Sequence, residues 1–356
     1  MTLESFQTTS TADAWHAVQS PGGYEWWYFD AEDPSTDTQI VAIFLEGFIW
    51  HAQYIRRYGK YIKRPTRNAP PFPSEYPCVY LCVYRGGKIL HQFMTQYRPS
   101  EFSADADQVR VSIGPNTLTT DAQGRLRLTL TGTPWSLTGR GPQTHHGQTL
   151  AGELIFTPRL THPPIQRSFL SKSMTGADHQ WVIANPLCHV TGAVSLRTPE
   201  LNQTIEFNGL GYHDHNFGTA PLGPGLSRWI WGRVLFDDQV YSFHYAVPKD
   251  ARLPPEPHLV QGDMKQLREM PIQKVHAEWT GRTRLLLRYP KRIGFDDALV
   301  MTNPKVIDDT PFYLRVVYDA VARGKRGRAF CEIAYPHRLR WPILGRMVEM
   351  SIDKRL

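Results

Sequence analysis

Short segments rich in β-branched and aromatic residues recur along nearly all of the 356-residue chain, and no other feature constrains its fold as much. The run IVAIFLEGFIW is followed by CVYLCVY and KILHQFMTQY, which Gly86 and Gly87 join. A glycine pair at such a point supplies the positive φ angles of a tight hairpin turn. VRVSI, RLRLTLTG and LAGELIFTP then alternate polar and apolar residues, the period of half-buried strands. VTGAVSLRT and TIEFNG continue the series. Beyond residue 228, WIWGRVLF and QVYSFHYAV flank Asp237 and Asp238 as a further hairpin, and KVHAEWTG, TRLLLRYP, YLRVVYDAVA and AFCEIAYP complete the set. Helix-period stretches are scarce, while 28 prolines and 27 glycines punctuate the chain at strand-sized intervals.

An antiparallel series of this length must hide its edges, and closure into barrels or sandwiches does so. The expected fold class is therefore all-β: two barrel or sandwich domains with few helices. TAPLGPGLS, residues 219–227, holds two prolines and two glycines and carries no strand pattern. It reads as a linker between a first domain over 21–218 and a second over 228–356, with an N-terminal tail over 1–20. TPRLTHPPIQRS competes as a boundary, but the strands on either side of it can belong to one barrel.

Composition narrows the function. Aromatic residues make up 12% of the chain, which suits pleated faces and also an apolar ligand cavity. The net charge is +7, with clusters in YIRRYGKYIKRPTR (54–67) and RGKRGR (323–328). Both read as solvated loops; the first could also be drawn to anionic lipid headgroups. Neither belongs to an RNP-like or OB-like pattern, so nucleic acid is not an expected partner. The N-terminus lacks the charged and apolar regions of a signal peptide, and no apolar run reaches the roughly 20 residues that span a bilayer. The expected location is cytoplasmic, with peripheral membrane contact at most. Cys78 and Cys82, four residues apart on a strand, would stand about 13 Å apart, too far for a disulfide, and read as core. No phosphate loop, dinucleotide fingerprint or G-x-S-x-G elbow occurs in the required context, so no cofactor is expected.

The segment GYHDHNFG, Gly211 to Gly218, holds the most chemistry. On a strand, alternate residues share a face, so Tyr212, Asp214 and Asn216 point one way and His213 and His215 the other. The two histidines could bind a metal with a third ligand such as His179 or His244, although none is indicated nearby. On the other face, a carboxyl in an apolar cavity loses hydration of its charged form and can keep a proton at neutral pH. Such an acid suits proton delivery to an electron-rich alkene, whose cation aromatic faces can stabilise. The third reading is a polar strand end in which Asp214 accepts backbone N–H bonds and stays ionised. Alternation also pairs Glu25 with Trp27, and Trp26 with Tyr28; Glu25 and Trp27 are candidates for the pocket wall, with Glu25 near Asp214. Trp229, Trp231 and Arg233 share a face and either line a pocket or plug a domain interface. His244 reads as a core histidine.

Four motifs in order, YEWWYFD, HQW at 179–181, GYHDHNFG and WIWGRV, resemble those of the carotenoid 1,2-hydratase (hydroxyneurosporene synthase) family. That group extends to tocopherol-cyclase-like and Diels–Alderase-like proteins. The resemblance runs from about residue 20 to the C-terminus and implies two lipocalin-like β domains with a hydrophobic pocket at or near their interface. It implies cofactor-independent addition of water to a terminal isoprenoid double bond of a hydrophobic polyene. The family's His-x-Trp and Tyr-x-Asp pairs fall on His179, Trp181, Tyr212 and Asp214. Asp214 would then be the acid, Tyr212 and Trp181 would stabilise the cation, and His179 would position the acid or deprotonate water. The family pattern resembles HDHNWG, and Phe217 stands here in place of its Trp. The same superfamily implies two alternatives: a cyclase or isomerase acting on a terpenoid or polyketide chain, and a lipid carrier without activity.

Overall fold

The computed structural model describes residues 11–138, 141–169 and 178–355. Strands dominate, as the periodicity leads one to expect. One sheet of 13 strands combines twelve from residues 24–218 with the Asp353–Arg355 strand, which adds in parallel beside Lys88–Tyr97. A second sheet of nine strands is drawn from residues 226–334. Gly86 and Gly87 form the anticipated hairpin turn at φ 60° and 71°, and Phe236 N–H bonds the Gln239 carbonyl to close the other. All four cysteines are free and buried.

Each sheet curls around its own apolar interior. Trp27, Phe29, Phe44, Leu81 and Phe93 fill the first, and Ile230, Val234, Phe243, Leu314 and Val316 the second. A third buried cluster joins the two sheets and includes Tyr28, Trp181, Tyr212, Trp229, Trp231 and Phe330. The period of two explains the division. On the Tyr24–Asp33 strand, Trp27, Phe29 and Ala31 enter the first interior, while Tyr24 and Tyr28 face the second sheet. On Leu226–Leu235, Ile230 and Val234 enter the second interior, while Trp229, Trp231 and Leu235 face the first sheet. With both interiors filled by side chains, the space between the sheets is left for a ligand.

The basic stretch 54–67 is not a loop. It lies largely in helix α1, Ala52–Lys63, whose N-cap His51 accepts the Tyr54 N–H. Ala52 and Tyr54 are buried there, and the Tyr54 hydroxyl donates to the Gly23 carbonyl at 2.6 Å. Pro65 follows closely and cannot continue a helix. A second helix, α2, spans Pro342–Met350. TRLLLRYP yields only the short pair Gly281–Arg282 with Arg288–Tyr289, because residues 283–287 turn through Leu286 at φ 62°. Residues 1–10 of the expected tail lie outside the described residues; Ala12, Asp13, Ala14 and Val18 are buried, and the Asp13 carboxylate meets His213 of the first sheet. Among the described residues no helix is long and apolar enough to cross a membrane.

Candidate active site

The Asn202–Gly218 strand supplies the centre of the site. It pairs on one side with Tyr24–Asp33 and on the other with His179–Arg197, so Asp214 lies opposite Tyr28 and Ile183, and Asn216 opposite Trp26 and Trp181. Paired residues share a face, which brings Trp26, Tyr28, Trp181, Tyr212, Asp214 and Asn216 together on the side that meets the second sheet. That sheet answers with Trp229, Trp231, His244, Ala246 and Glu332. Leu222 and Leu226, from the segment read as a linker, close one wall. The cavity is small, about 40 Å³, partly open, and apolar except at a few points.

Asp214 is the chief of those points. Its Oδ2 accepts the Trp181 indole N–H at 2.8 Å and the Tyr212 hydroxyl at 2.9 Å. Its Oδ1 accepts the Asn216 amide at 2.7 Å. All three donors are neutral. Burial penalises the carboxylate more than these bonds favour it, and the acid is pushed up to about 7. Trp181 and Tyr212 therefore hold the acid from behind, and the rings on the cavity wall include Trp26, Tyr28, Trp229 and Trp231.

His179 lies on the wall with its Nδ1 2.9 Å from the Tyr24 hydroxyl and its ring stacked on Trp26. Burial lowers it to about 3, so the imidazole is neutral. His244 is no inert core residue: it lines the cavity beside Phe169, and its buried Nδ1 has no partner among the described residues. Burial drives its basicity well below the usual imidazole range. Across from Asp214, Glu332 accepts the Tyr28 hydroxyl at 3.1 Å and Arg315 Nε at 3.0 Å. Trp231 packs against both Tyr28 and Tyr212, with centroids 4.8 and 5.2 Å away.

Three expectations are corrected. Glu25 and Trp27 do not line the pocket, because Tyr28 rather than Trp27 pairs with Asp214. Glu25 is fully buried on the opposite face, where its Oε1 accepts from His16 at 3.1 Å and His215 at 2.9 Å. Trp27 stacks on His215 at 4.5 Å and donates to the Asp13 carbonyl. His213 and His215 form no cluster with His179 or His244, which lie across the sheet. His213 instead meets the Asp13 carboxylate at 3.0 Å, and His215 groups with Glu25 and His16, their ligand atoms within 4.8 Å of one another. Phe217 shares that face and stacks on His16 at 3.8 Å, so its departure from the family pattern does not reach the pocket.

Trp229, Trp231 and Arg233 divide the two roles considered for them. The tryptophans line the pocket, while Arg233 bonds Asp30 and Glu32 of the first sheet at 2.7 Å. Sequence reasoning missed Trp26, Tyr28, Glu332 and His244 as wall residues. The parity of Tyr28 and Trp26 was readable, but which parity faces Asp214 depends on strand register.

Residues 59–356 match the family model described as carotenoid hydratase CrtC. Two similar proteins cover most of the chain. A hydroxyneurosporene dehydrogenase of Chlorobaculum tepidum is 28% identical over 86% of this chain and 80% of its own length. An acyclic carotenoid 1,2-hydratase of Thiocapsa roseopersicina is 24% identical over 94% and 74%. In structure the chain is similar to an AttH-type protein of Nitrosomonas europaea, at a TM-score of 0.61 and 14% identity over 94% of this chain and 98% of that one. It is also similar to CghA in complex with Sch210972, at 0.52 and 11% over 88% and 89%. These likenesses fix a paired lipocalin-like fold.

Proposed function

Since the chain belongs to the carotenoid hydratase family, we propose that it adds water to a terminal isoprenoid double bond of an acyclic carotenoid or related polyene, with Asp214 as the acid. One observation carries this reading. Asp214 sits on an apolar, ring-lined wall with neutral hydrogen-bond donors, and burial pushes it up to about 7. Half of such acids hold a proton at neutral pH, the condition for a general acid.

An isoprenoid end enters between the sheets, and Asp214 gives its proton to the less substituted carbon of the double bond. Positive charge then falls on the tertiary carbon. The faces of Tyr28, Trp229 and Trp231 stabilise it, an interaction worth about 2 kcal/mol or more away from water. Glu332, held by Tyr28 and Arg315, stands on the far wall. Water attacks the cation, and its surplus proton passes through a neutral imidazole, His179 or His244, back to Asp214. One water is consumed, the acid is restored, and the balance needs no electron carrier.

The test is mass spectrometry of pigments from cells making lycopene or neurosporene, with and without this protein. Gain of one water is the expected result. A product of unchanged mass would replace hydration with cyclisation or isomerisation, loss of two hydrogens would make it a desaturation, and no product would leave a lipid carrier.

A further inference from the structure

We propose that the surface formed by α1 and α2 docks on an anionic phospholipid bilayer. Helix α1 contains no acidic residue, and Arg56, Lys60, Lys63 and the following Arg64 are exposed. Its first turn packs on α2. A Cβ at Gly345 would come within 2.8 Å of the Ala52 Cβ, and the Glu349 carboxylate accepts the Gln53 N–H at 2.8 Å. Glu349, the acid at this junction, is taken up by Lys354 at 2.8 Å and Arg56 at 3.8 Å.

On α2 and at its N-cap, Trp341, apolar side chains are exposed. Ile343 is 70% exposed, Trp341 57% and Met350 46%. Leu137, also exposed, belongs to a hairpin whose Gly141 lies against Met350. Single exposed apolar side chains are ordinary, but four on adjoining elements beside a cationic helix form a patch with a chemistry. A bilayer interface meets both halves of it: apolar tips enter the acyl boundary while lysine and arginine meet lipid phosphates.

The patch is continuous with the pocket. Val348 and Leu339 belong to a buried cluster with Phe48 and Phe312 that Trp26 and Trp50 touch. Trp50 stacks on Trp229 at 5.4 Å, and Trp26 and Trp229 line the cavity. Apolar contacts thus run from α2 to the acid. That this route delivers a polyene rests on the hydratase reading; the docking surface does not.

Cosedimentation of the full chain with phosphatidylcholine vesicles, with and without phosphatidylglycerol, tests the surface. Binding is expected to require the anionic lipid and to weaken as salt rises. The double variant Trp341→Ser, Ile343→Asp and the triple variant Lys60→Glu, Lys63→Glu, Arg64→Glu should each lower the partition coefficient by about tenfold or more. Circular dichroism and melting should stay as in wild type, since these side chains are exposed. Unchanged partitioning of either variant, or no wild-type binding, overturns the proposal. So does a wild-type dimer in sedimentation velocity that the double variant turns monomeric, which would give the patch to a second copy. The double variant should turn over detergent-dispersed lycopene normally and vesicle-borne lycopene poorly. A wild type inactive in both formats would defeat the hydratase reading and leave docking to the partitioning data.

Discussion

The two faces of one strand, Asn202–Gly218, bury titratable groups equally deeply and treat them in opposite ways. On the interior face each group meets an ionisable partner, although burial holds His215 below the usual imidazole range. His213 meets Asp13 at 3.0 Å, and His215 meets Glu25 at 2.9 Å. Burial opposes protonation of His213, yet Asp13 outweighs it and the imidazole is raised. Burial likewise opposes ionisation of Glu25, but bonds from His16 and His215 bring it below the usual carboxylate range. On the pocket face Asp214 has three donors and no cation among them. Hydrogen bonds from neutral groups offset part of the desolvation, whereas a countercharge offsets most of it. The interior groups are consequently pinned in one protonation state and hold the N-terminal segment to the sheet. The pocket acid is poised to exchange its proton.

If that contrast is right, substitutions on the two faces should fail differently. Asp214→Asn keeps an acceptor for Trp181 and Tyr212, so the fold should survive while turnover falls about a thousandfold, the range of a lost general acid. Product quantified by liquid chromatography would sink the assignment if activity stayed within tenfold of wild type. His213→Leu leaves the buried Asp13 carboxylate with only His215 Nδ1, 3.6 Å away, and should cost about 3 kcal/mol of stability, read by denaturant melts. A raised histidine stabilises the fold fully below its unfolded value and loses that contribution as pH rises through its folded value. The deficit should therefore be largest below about pH 6.5 and shrink above it, and because the His213 charge also helps to hold Asp214 down, the limb of the surviving activity should move to slightly higher pH. Tyr212→Phe is the mildest. In wild type, activity should fall as pH rises through about 7, where Asp214 loses its proton. The Tyr212 hydroxyl favours the carboxylate, so its removal should move this limb to higher pH, by less than about one pH unit. A limb that moved down, or did not move, would break the link between the two groups.

Much of this was legible before any coordinates. Strand-period alternation gave the all-β class, and it also placed Tyr212, Asp214 and Asn216 on one face and the histidines on the other. What alternation cannot give is the partner strand's register, and a slip of one residue reverses every side chain. That is why Glu25 and Trp27 were expected on the pocket wall that Trp26 and Tyr28 occupy. Glu332 and His244 were hidden for another reason. They stand on the second sheet, and nothing local marks which of its faces meets the first. Helix α1 escaped because its twelve residues give only three turns, and arginines and lysines crowd an apolar stripe of tyrosines and isoleucines.

Because the pocket belongs to neither sheet alone, Asp214 and the wall that faces it come from different parts of the chain. Asp214, the proposed proton donor, and the residues that bond it come from before 218, while Trp229, Trp231, His244 and Glu332 come from residues after 226. The halves are locked together by Arg233 with Asp30 and Glu32, and by Glu332 with Tyr28, contacts that bear on alignment rather than on proton transfer. A lineage that altered its second half, or shifted the lock, would keep a working acid and change which carbon the acid meets. Divergence among such proteins should then leave the Tyr212–Asp214 pair in place and accumulate in the opposing wall, so new substrates arise by re-aiming an old acid.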